Sequence, residues 1–145
     1  MTEYVAVLET ARKVFIYSNN RNWDGLANDI LADEILTDDS SYPGAPPAKL
    51  ISKHELISWL QGAYAKITGA HHQVSNEIIH IEGNTAHANV YVTATHYKIE
   101  NGNLTKWVVF STFDINLSKD NNSWKVNQLK QNFKFEEGNP GMVFS

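Results

Sequence analysis

Three histidines and two neighbouring aspartates carry most of the chemistry this sequence could perform. His71 and His72 open the stretch HHQVSNEIIHIEGNTAHANVYVTATHY, His96 stands near its end, and Asp38 and Asp39 lie upstream in TDDSSY. Histidine titrates near neutral pH and serves as acid or base. A carboxylate within hydrogen-bond reach of an imidazole favours its protonated form while desolvation opposes it, and the balance decides which partner is the base. Such a pair could move a proton alpha to a carbonyl and return it to a leaving hydroxyl or an enolate oxygen. Two histidines and a carboxylate are also the composition of a facial metal triad.

The elements that must position these groups can be read from the pattern. Alternating β-branched runs flank Glu82-Gly83-Asn84-Thr85, which predicts a long antiparallel hairpin. A two-residue loop would pair Glu82 with Thr85 and set His71 opposite His96. A three-residue loop with a bulge would pair Glu82 with Ala86 and set His72 opposite His96. The second register sorts the faces better, because Val74, Asn76 and Ile78 then lie beside Val90, Val92 and Ala94. It predicts His72 and His96 as the inward pair, with His71 as the alternative. Asn101-Gly102 is a type I′ turn signal that continues the meander. It sets Trp107 opposite His96, Val109 opposite Ala94, Ser111 opposite Val92 and Phe113 opposite Val90. A last strand is predicted from Ser123 to Phe135.

Before the hairpin, Tyr4, Val7, Leu8, Ala11, Val14 and Phe15 recur at helical spacing between Glu3 and Ser18, with Thr2 as cap. Asn19-Asn20-Arg21-Asn22 breaks that helix, and Trp23, Leu26, Ile30 and Leu31 predict a short second one. DEILTDDSS reads as a strand ending at the two aspartates, which point to opposite faces, so only one of them can face inward. YPGAPPAK is a stiff loop. Ser52 and Glu55 form a capping box with an Ile51/Leu56 staple. The third helix that follows has Leu56, Trp59, Leu60, Ala63 and Ile67 as its apolar stripe and Gly69 at its end.

The 145 residues predict one domain spanning 1–145. Absence of cysteine excludes thiolate and disulfide chemistry. A net charge of -4 with 12 dispersed basic residues offers no footprint for nucleic acid. No apolar run reaches the roughly 18 residues of a membrane span, and the first residues lack a secretory pattern, so a cytoplasmic location is the expectation. Helices followed by a strand meander predict an α+β fold: a cone-shaped, strongly bent antiparallel sheet with three helices packed on its concave face around a pocket.

That element order, with HHQVSN, IEGNTAHANVYVTATH, SWKV and EEGNP in sequence, resembles the nuclear transport factor two-like superfamily. Within it the chain is most similar to SnoaL-like polyketide cyclases and the scytalone dehydratase group. The resemblance implies a cavity for a small hydrophobic or aromatic ligand and cofactor-free acid/base chemistry: cyclisation, isomerisation or dehydration of a carbonyl compound. It implies Asp38, His72 (or His71) and His96 as catalytic residues and Ser111 as a pocket serine, while Phe113 stands where the dehydratase carries an asparagine. Tyr17 approximates the tyrosine of the superfamily's steroid isomerases. Asn76 and Trp107 would orient the ligand, and no metal or cofactor is called for. Tyr91, Thr93 and Thr95 face away from the cavity in this register, which predicts a homodimer through the sheet. The rival expectation is a noncatalytic ligand-binding or dimerisation module.

Overall fold

A computed structural model describes residues 2–144 of the chain. Helix α1 (Glu3–Asn19) begins where the Thr2 hydroxyl accepts from the Val5 N–H and buries Val7, Leu8, Ala11, Val14 and Phe15. Tyr4, expected on that stripe, is exposed in the first turn. A short α2 (Trp23–Gly25) runs into a π-helical turn, Leu26–Ile30, which buries Leu26, Ala27 and Ile30. Strand β1 (Leu31–Asp38) follows, then the proline-rich loop 39–48, and a strand the sequence did not announce, β2 (Lys49–Ser52), which pairs antiparallel with β1.

Helix α3 (Lys53–Tyr64) is capped as predicted, with the Glu55 N–H on the Ser52 hydroxyl. Gly69 does not end this helix; it begins β3 (Gly69–Glu82), where any Cβ would meet the Tyr97 hydroxyl. The meander continues through β4 (Thr85–Glu100), β5 (Asn103–Asp120) and β6 (Ser123–Gly138), and a short α4 (Gly141–Phe144) follows. The strands form one curved, open sheet in the order β2-β1-β6-β5-β4-β3. It is not antiparallel throughout, since β1 lies parallel to β6. The fold class is the α+β architecture expected, with a fourth short helix added.

The β4–β5 register is the one the Asn101-Gly102 turn predicts, including His96 with Trp107 and Val92 with Ser111. The β3–β4 register differs from both alternatives. It starts with Glu82 opposite Thr85, as a two-residue loop requires, then shifts between Ser75 and Ile78 so that Val74 faces Val92 and Ala70 faces His96. The extra residue lies mid-strand at Asn76, whose φ of +54° marks a bulge. One added residue inverts which side chains face inward. Ile79 and Ile81 therefore pack on the core before the bulge and Val74 after it, and Ile78, expected inside, is 72% exposed. The bulge also carries Glu77 to Arg12 of α1 at 3.2 Å. His72 and His96 share the inner face, as predicted, but as diagonal neighbours.

Candidate functional site

The concave face of the sheet and the helices enclose a cavity of about 840 Å³. Phe15 and Ser18 line it from α1, Leu56, Trp59, Leu60, Ala63 and Tyr64 from α3, and Val92, Ala94, His96, Trp107, Val109 and Phe113 from the sheet. This explains why the α3 stripe leaves Trp59 57% exposed: that face borders the hollow instead of closing against side chains. The loop prolines Pro43, Pro46 and Pro47 and the C-terminal Val143 and Phe144 complete the wall. Exposed Asp39, Lys49 and Glu55 mark the mouth.

Of the residues singled out from sequence, His72, His96, Trp107 and Phe113 line this cavity. Five do not. Asp38 turns outward, where its carboxylate accepts from the Ser40 hydroxyl and from the Ser40 N–H at 3.0 Å, and those bonds hold its pKa below the usual range. Its neighbour Asp39 faces the cavity instead. At a strand end the alternation fixes that two successive residues diverge, not which of them points inward. His71 is exposed on the opposite sheet face from His72. Asn76 is consumed by the bulge. Tyr17 is half-buried on the flank of α1. Ser111 is 3% exposed behind the wall, its Oγ buried without a hydrogen-bond partner among the described residues.

The two imidazoles meet edge to face, ring centroids 6.1 Å apart. His96 stacks on Trp107 at 4.5 Å, and its Nδ1 lies 3.1 Å from the Trp107 carbonyl oxygen. A carbonyl only accepts, so Nδ1 carries the proton and the neutral ring leaves Nε2 bare. Burial pushes the His96 pKa down, and the bond to that carbonyl opposes the shift in part. His72 packs against Phe15 and touches the side-chain amide of Asn19 with Nδ1 at 2.6 Å. Burial, reinforced by His96 and His71, lowers its pKa to about 3, so it is neutral at pH 7. Among the described residues neither imidazole bonds to a carboxylate, and no cluster of three metal-ligating side chains occurs. Asp39 stands at the exposed mouth, yet the surrounding wall raises its pKa by desolvation, with the Asp38 charge adding.

Sequence reasoning missed Asn19, Tyr42 and Tyr64. Tyr42 packs edge-on to Trp107 and Phe133, and burial with the neighbouring Glu136 raises its pKa to about 12. Glu136 also accepts from Trp107 Nε1 at 3.3 Å, which fixes the indole beneath His96. Tyr64 lies edge-on to Trp23, and burial raises its pKa to about 12. Only the asparagine-rich break after α1 signalled any of these, and there it read as a turn.

A sequence profile described as a SnoaL-like domain matches residues 1–130. A search of curated proteins finds no match. Among solved structures, a Kribbella flavida protein, Kfla4162, superposes with a TM-score of 0.88 at 16% identity, covering 99% of this chain and 97% of that one. Hexachlorocyclohexane dehydrochlorinase LinA-type3 from Novosphingobium barchaimii gives 0.75 at 11% identity over 98% and 93%. A nuclear transport factor two-like protein from Cytophaga hutchinsonii gives 0.68 at 17% identity over 92% and 100%. At these identities the likeness establishes the fold.

Proposed function

The chain belongs to the SnoaL-like domain family, and we propose that its cavity binds a small hydrophobic carbonyl compound and acts on it by cofactor-free acid/base catalysis. The observation that carries this reading is the bare Nε2 of His96 in a hollow lined mostly by apolar side chains. A neutral imidazole whose Nδ1–H is tied to a carbonyl is oriented as a base. In the reaction it would take a proton from the carbon beside the ligand carbonyl and return it to another carbon or to a leaving oxygen, giving isomerisation, cyclisation or elimination. The resemblance of the fold to a dehydrochlorinase, an eliminating enzyme, is consistent with proton abstraction. Asp39, in place of Asp38, is the carboxylate at the end of the first strand that reaches the cavity, with Trp107 and Phe113 as contact surfaces for the ligand.

Hydrogen exchange at the alpha carbon tests the reading. Cyclic ketones incubated with the protein in heavy water should exchange, followed by NMR, and His96→Gln should slow exchange by about 10² to 10⁴-fold with ligand binding retained. Binding without exchange in the parent would leave a noncatalytic binding module, the reading favoured by the fact that among the described residues no carboxylate bonds to either imidazole. The outer sheet face, where Tyr91 and Phe135 are exposed, is proposed as the surface of a homodimer. Sedimentation at micromolar concentration should give twice the chain mass. No described helix is long and apolar enough to cross a membrane.

A further inference from the structure

Asn19, the last residue of α1, meets three groups of β3 with one side-chain amide: His72 Nδ1 at 2.6 Å, the His72 backbone N–H at 3.3 Å and the Ala70 carbonyl at 3.2 Å. One orientation satisfies all three. A backbone N–H can only donate, so the amide oxygen faces it; a carbonyl can only accept, so the amide NH₂ faces Ala70. The same NH₂ then donates to His72 Nδ1, whereas the reverse orientation aims the oxygen at acceptors alone. A ring nitrogen that accepts holds no proton, which places the proton of neutral His72 on Nε2. His96 is the opposite tautomer, with its proton on Nδ1 toward the Trp107 carbonyl.

We propose that Asn19 is a positioning residue that holds His72 in the Nε2–H tautomer, so that the facing imidazoles present one donor and one acceptor to an uncharged enolisable ketone. The inference deepens the proposed function and rests on it for the ligand class. His72 Nε2–H would donate to the ketone oxygen while His96 Nε2 takes the adjacent proton. As the C–H bond breaks, its electron pair moves into the new C=C bond and the carbonyl pair onto the oxygen, which His72 steadies. The rings are close enough, at 6.1 Å between centroids, to act on one functional group. A carboxylate ligand is disfavoured, because both imidazoles are neutral and among the described residues the lining holds Asp39 and Glu55 against one cationic side chain, Lys49.

The amide, in place of a carboxylate, is what decides the arrangement. An aspartate at this position could only accept, so it would draw a proton onto Nδ1 and bare Nε2, giving two bases and no donor, and would raise the His72 pKa.

The experiment reads imidazole tautomers by long-range proton–nitrogen NMR on the unliganded full chain. At pH 7, His72 should show a protonated Nε2 and a bare Nδ1, and His96 the reverse. Asn19→Asp should move the His72 proton to Nδ1 and raise its titration midpoint by about one unit or more, with the His96 pattern unchanged. A protonated Nδ1 on His72 in the parent, or an unaltered His72 in a folded Asn19→Asp protein, overturns Asn19's role. If that variant does not fold, the parent spectrum alone decides the tautomer. The ligand class is tested with 2-tetralone and 2-naphthoate. The ketone should shift the His72 and His96 signals and bind about tenfold more weakly to Asn19→Asp. Tighter binding of the carboxylate, or binding of neither, overturns the ligand class while leaving the tautomer assignment standing, and the tautomer result does not depend on turnover.

Discussion

His72 makes the protein acid-labile by an amount that can be worked out. Its pKa falls from 6.5 to about 3 on folding, because burial disfavours the charged ring and neither Asn19 nor His96 offers a negative partner. The unfolded chain therefore binds a proton that the native state refuses, and stability falls as pH drops below about 6.5. The contribution is fully present above that value and is lost progressively toward about pH 3. Between about pH 7 and pH 5 the linkage relation gives a loss of about 2 kcal/mol from this ring alone. His72→Gln removes the titration, and every other titrating group is common to both proteins and cancels in the comparison. Thermal unfolding of the two at both pH values is the assay. The parent's melting temperature should drop about 6 to 8 °C more than the variant's, at roughly 3 to 4 °C per kcal/mol for a chain of this size. Equal drops would refute the reasoning, by showing that His72 charges in the folded state without penalty.

Two further outcomes follow from the backbone. Asn76→Ala should cost about 1 kcal/mol and Asn76→Gly close to nothing in chemical denaturation, because the bulge at φ +54° is left-handed; equal costs would show that the bulge relaxes. Gly138→Ala should cost about 2 kcal/mol or more and speed hydrogen exchange over residues 139–144. At φ +89° a Cβ there would overlap the Lys106 carbonyl, which also accepts from the Asn139 N–H at 3.0 Å and so seats α4 against the cavity. An unperturbed exchange pattern would refute this account of the C-terminal wall.

Sequence alone determined the elements whose signal is local. Thr2 and Ser52 cap the helices because a side-chain oxygen can satisfy an orphan N–H of the first turn wherever that turn begins. Asn101-Gly102 fixed the β4–β5 register because both central positions of the turn need positive φ, and that placed Trp107 under His96. Period-2 alternation left His71 and His72 as alternatives, and with the two-residue turn that forms it would by itself have turned His71 toward the face of His96. Only the tertiary structure decided what alternation cannot encode. The bulge at Asn76 counts one residue in the middle of a long strand, where no turn residue announces it and where the Arg12–Glu77 contact to a distant helix is its partner. Asp39 rather than Asp38 faces the cavity because fully buried Ile35, and not its apolar neighbour Leu36, takes the inward face of β1, and Thr37 and Asp39 follow it at period two. Asn19 reaches His72 across 53 positions of sequence. Helix ends and turns are set by neighbours along the chain, whereas the inward face of β3 and the Asn19 contact of His72 arise between groups that meet only after folding.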